Sequence, residues 1–167
     1  MPGTPDPVLG SDALTFAVAC AVGALVAAAP YGFRELLPRS RVVAVGGGLA
    51  YAVVCLGAWV GARLATDAFV AGMTADPLTA LGWVLAGAII LGAQAAIPYY
   101  GYARWRLVVP LAALFAVTAL ILPPFLSVRG ESDPLSLYVI LFGPLSVAAT
   151  ALVGVTELAV RRFVFSR

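Results

Sequence analysis

The chain has 167 residues, of which 62% are hydrophobic and 11% charged, against roughly 45 to 50% and about 25% in a soluble domain; its mean hydropathy is +1.02. A water-soluble fold of about this length buries only some 70% of the surface its unfolded chain exposes, too little to hide so much apolar area, so lipid is the expected solvent. The net charge is +2, with no His, no Lys, no Asn and a single Gln, Gln94, which excludes a Walker A loop, Schiff-base chemistry, a Ser-His-Asp triad and imidazole metal sites. No cofactor, metal or nucleic-acid partner is expected, and N-glycosylation has no acceptor.

Charges divide the chain into uncharged stretches at 13–33, 42–62, 77–103, 107–128 and 134–156. Each is long enough to cross a hydrocarbon core of about 30 Å, which takes roughly 20 helical residues, and none shows the alternating polarity of a barrel strand. The expected fold is all-α, a polytopic membrane protein forming a five-transmembrane-helix bundle. One integral membrane domain fills 1–167, with helices at about 13–31, 42–62, 78–99, 105–122 and 135–160.

The first span opens on Asp12-Ala-Leu-Thr15 and carries a small-residue stripe of Cys20, Ala24 and Ala28. Ala27 to Ala29 resembles a signal-peptide cleavage site, but there is no basic n-region, Pro30 would follow the cut, and cleavage would leave Arg34, Arg39 and Arg41 outside. Retention of the span is expected. Ala44, Gly48 and Ala52, then Gly57 and Gly61, give the second span two further stripes suited to close helix packing in lipid. Cys20 and Cys55 fall at matching depth; a disulfide needs Cα atoms within about 7 Å, closer than ordinary helix packing, so inert thiols are expected.

The third span opens on Asp76-Pro-Leu-Thr79, carries the stripe Ala88, Gly92, Ala96, and ends in Tyr99, Tyr100, Tyr102 and Trp105, an aromatic boundary. Pro110 within the fourth span and Pro144 within the fifth are candidate kinks, and Pro123 and Pro124 are expected to end the fourth. The fifth opens on Asp133-Pro-Leu-Ser136. Asp is a favoured N-cap and Pro a favoured first helical residue, so the recurring phrase marks helix starts.

Spans one and three also share Ala-x-Pro-Tyr ends, at Ala28 to Tyr31 and Ala96 to Tyr99, and an R-x-R continuation at Arg39/Arg41 and Arg104/Arg106. These matches predict a parallel duplication of a two-helix hairpin. Eight Arg (34, 39, 41, 104, 106, 161, 162, 167) lie at one end of the spans, and Arg63 and Arg129 with six acids lie at the other. The positive-inside rule then places the N-terminus outside and the C-terminus in the cytoplasm of a multi-pass cell-membrane protein. The all-Arg, Ala-rich and Gly-rich composition suggests a GC-rich prokaryotic genome.

One polar face is a candidate site. Gly143, Ser146, Thr150, Gly154, Glu157 and Arg161 fall within an arc of roughly 80° at about 100° per residue. Glu157 is a carboxylate inside a span, a functional candidate by default, and Arg161 is its i, i+4 partner; the bland alternative is a headgroup-level tether. Gln94 is expected at a similar depth, so that Gln94, Glu157 and Arg161 could gate or bind a solute. The leading expectation is a non-enzymatic membrane component or accessory subunit, with the bilayer as surroundings and a homo-oligomer or membrane-protein partner packed on small-residue faces. The alternative is a small transporter or channel for a polar or anionic solute.

Overall fold

The computed structural model describes residues 6–32, 39–66, 76–128 and 133–165. They form five helical rods: α1 (Asp12–Gly32), α2 (Ser40–Thr66), α3 (Pro77–Trp105), α4 (Val109–Phe125) and α5, which joins Pro134–Leu137, a π-helical turn at Tyr138–Phe142 and Gly143–Phe165. Four are long and apolar enough to cross a membrane; α4 has 17 residues, about 26 Å at 1.5 Å rise. The described residues contain no strand, only an isolated bridge between Pro7 and Ser127.

Helix starts follow local chemistry with one shift from expectation. Asp76 and Asp133 cap α3 and α5 by accepting the N–H groups of Thr79 and Ser136 at 3.3 and 3.2 Å. In α1 the cap is Ser11, whose Oγ accepts the Leu14 N–H, and Asp12 is the first helical residue. The ends of the rods differ more. Helix α3 runs to Trp105 rather than stopping near Tyr99, because Pro98 is absorbed inside the helix and the stop comes at Arg106, which turns left-handed at φ 56°. Pro110 lies in the first turn of α4, where its missing N–H costs nothing, so it opens the helix instead of kinking it. Pro123 and Pro124 sit within the last turn, and the helix ends at Phe125.

Pro144 does disturb its helix. A proline ring clashes with the carbonyl four residues earlier, here that of Ile140, and the chain relieves this through the π turn, where the Gly143 N–H reaches back to the Tyr138 carbonyl.

Two pairings dominate the packing, α2 with α3 and α1 with α4, and α5 closes over α3 and α4. The consecutive helices α1 and α2 barely meet. Small residues set the close approaches: a Cβ on Gly48 would stand 2.5 Å from the Gly92 carbonyl, one on Gly23 would press on Phe115, and one on Gly143 would strike Ile90. The stripes on α2 and α3 therefore meet each other. On α1 the buried face is Thr15, Ala19, Gly23 and Pro30, one position off the expected Cys20, Ala24 and Ala28, and Gly57 and Gly61 face open space. Cys20 and Cys55 are free thiols.

Candidate functional site

Gln94 is fully buried in the middle of the bundle. An amide there needs partners for both ends. Its Oε1 accepts the hydroxyls of Tyr138 and Ser146, the latter at 2.9 Å, and its Nε2 donates to the Tyr51 hydroxyl at 3.0 Å. Tyr51 lies 3.0 Å from Thr118 Oγ1, whose own proton goes to the Leu114 carbonyl at 2.7 Å. Tyr51 is therefore the donor to Thr118. One neutral network thus ties α2, α3, α4 and α5 together.

Ser146 lies on the expected polar face and joins Gln94, sharing its proton with the Gly143 carbonyl. Thr150, also buried, bonds the Ser146 carbonyl one turn back. Glu157 and Arg161 pair with each other. Glu157 also accepts the backbone N–H groups of Val108 and Val109 at 3.2 and 2.9 Å, so it holds the first turn of α4, where a carboxylate favourably meets the helix dipole.

The expected contact between Gln94 and Glu157 does not form. Gln94 pairs with Ser146, eleven residues before Glu157, a separation of about 16 Å along the axis. The continuation of α3 to Trp105 leaves Gln94 in mid-rod. The aromatic boundary is also split: Tyr99 and Tyr102 are buried, Tyr99 donating to the Val26 carbonyl at 2.7 Å, and Trp105 is exposed.

At the opposite end, sequence reading missed an ionic cluster. Arg63 is 1% exposed and pairs with Asp133 at 2.8 Å. Asp133 Oδ1 also accepts the Trp59 indole N–H at 3.1 Å, Arg63 donates to the Trp59 carbonyl, and its guanidinium lies 4.2 Å from the Trp59 ring centre. Asp133 thus caps α5 with one oxygen and anchors α2 with the other. The i, i+4 spacing of Trp59 and Arg63 on one face of α2 was the available signal.

At the acidic end, Asp76 is exposed, and its hydrogen bonds with Thr79 hold its carboxyl below the usual carboxylate range. Among the described residues, sizeable cavities of about 420 and 400 Å³ are lined almost wholly by apolar side chains and glycine. Neither is lined by Gln94, Ser146, Thr150 or Glu157. Among the described residues no three His, Cys, Asp or Glu side chains gather as a metal site would require. The chain matches no protein-family model, no curated protein and no solved structure.

Proposed function

We propose that this chain is a multi-pass protein of the cell membrane that acts as a non-enzymatic component or accessory subunit, its N-terminus outside and its C-terminus in the cytoplasm. All five rods cross the bilayer, α4 completing its reach with the apolar residues that flank it. The observation that carries the reading is the engagement of Gln94 at both ends: the mid-bundle amide that would serve a solute path is occupied by three hydroxyls of its own chain. Glu157, the carboxylate that a transport reading needs, is engaged by Arg161 and by two α4 N–H groups.

The parallel duplication belongs to the same proposal. Exchange of the first hairpin with the second maps the α1–α4 pairing onto the α3–α2 pairing, and these are the two most extensive in the bundle. A second copy or a membrane-protein partner would pack on the outward face of α2, where Gly57 and Gly61 leave open space.

Purified protein in liposomes tests the absence of transport. Stopped-flow swelling with chloride, phosphate and glycerol should match that of empty vesicles. Solute flux abolished by Glu157→Gln would replace this reading with the transporter. A tag after Arg167 should be reachable only from the cytoplasmic side.

A further inference from the structure

We propose that the cleft between α1 and α2 binds one acyl chain of an anionic phospholipid, with the lipid phosphate on Arg39; this rests on the membrane reading above. Although α1 and α2 are consecutive, each packs elsewhere, α1 on α4 and α2 on α3. The gap between them holds about 420 Å³, within the roughly 300 to 1,000 Å³ of ligand sites. Leu25 and Val26 of α1 face Val43, Gly46 and Ala50 of α2 across it, and Tyr99 of α3 closes its floor. The Tyr99 hydroxyl is tied to the Val26 carbonyl, which leaves the floor apolar. A Cβ added at Gly46 would meet nothing within 4 Å. The space is therefore unfilled by protein, and in a bilayer hydrocarbon fills it.

Charge selects which hydrocarbon. The Arg39 carbonyl accepts the N–H groups of Val42 and Val43, so Arg39 begins the face that continues through Val43 and Gly46 into the cleft. Its side chain is exposed, as is that of Arg41. The connection between the two helices carries Arg34, Arg39 and Arg41 against Glu35 in sequence. A basic residue at the membrane surface raises affinity for anionic lipid roughly fivefold. The cleft supplies the chain site and Arg39 the headgroup preference.

Native mass spectrometry of the full chain, delipidated in detergent and titrated with dioleoylphosphatidylglycerol or dioleoylphosphatidylcholine, tests this. One phosphatidylglycerol should be retained with about fivefold preference. Gly46→Leu, whose Cβ meets no protein atom and whose branched end enters the cleft, should lose the lipid, and Gly82→Leu, in open space on α3 away from the cleft, should keep it. Arg39→Gln should keep a bound lipid and lose the preference. Equal retention by Gly46→Leu and wild type, or equal binding of the two lipids to wild type, overturns the site. Loss of self-association rather than lipid in Gly46→Leu assigns the cleft to a second copy and also overturns it. A wild-type chain that stays dispersed without detergent is a separate failure, that of the membrane reading itself.

Discussion

Among the described residues, two arginine–carboxylate pairs look alike in chemistry and differ in consequence. Arg161 and Glu157 are neighbours on one helix, and Arg161 is 39% exposed; Arg63 and Asp133 are 70 residues apart, and Arg63 is 1% exposed. A local pair, one partner of which stays in solvent, can form on its own helix before the bundle does and contributes little, about 0.3 to 0.5 kcal/mol. The long-range pair exists only once α2 and α5 have docked. Its removal takes the Asp133 carboxylate from a guanidinium already out of water, and breaking such pairs costs several kcal/mol.

Substitutions should separate the two regions in order of size. Asp133→Ala should destabilise the bundle most, by about 3 kcal/mol, the low end of the buried-pair range since Asp133 is itself 30% exposed. Unfolding in mixed detergent with SDS measures it; a loss no larger than that of Glu157→Gln would erase the distinction. Gln94→Leu should follow at about 2 kcal/mol, because it leaves the hydroxyls of Tyr51, Tyr138 and Ser146 without their shared partner. Tyr51→Phe removes two links of the same network, from Gln94 and to Thr118, and should cost about 1 kcal/mol.

Glu157→Gln should cost about 1 kcal/mol or less, through weaker capping of α4, and high salt should shrink the difference. The smallest effect belongs to Asp76, which shares the Asp-Pro-Leu phrase with Asp133 but serves only as a cap. Its folded carboxyl is depressed by the Thr79 hydrogen bonds, so its contribution is present above the ordinary carboxylate value near pH 4 and is lost as pH falls through the folded value. Asp76→Asn should flatten that part of the stability profile, which acid titration of detergent-solubilised protein would record.

The same phrase explains what could be read without coordinates. The three Asp phrases, the gaps between charges and the stripes at Gly48 and Gly92 are local signals, and they located the five rods and the small-residue faces of α2 and α3, but not which helix each face meets. Gln94 was also legible as an outlier in an apolar span. Its partner was not, because depth was counted from a helix end at Tyr99, and a buried Pro98 let α3 run a further six residues to Trp105. Tyr51, Thr118 and Tyr138 carry no spacing that reveals one another; they meet because α2 packs on α3 and α5 closes over both. Arg63 read as a surface charge since its carboxylate lies beyond two further helices in sequence.

The central claim is that the polar interior around Gln94 is closed to water and serves packing. Single cysteines at positions 146, 150 and 162, in a chain with Cys20 and Cys55 replaced by Ala, can be treated in native membranes with a water-soluble thiol reagent offered to both faces. The account predicts rapid modification at 162 and none at 146 or 150. Modification at 146, quenched by a small polar or anionic solute, would contradict it.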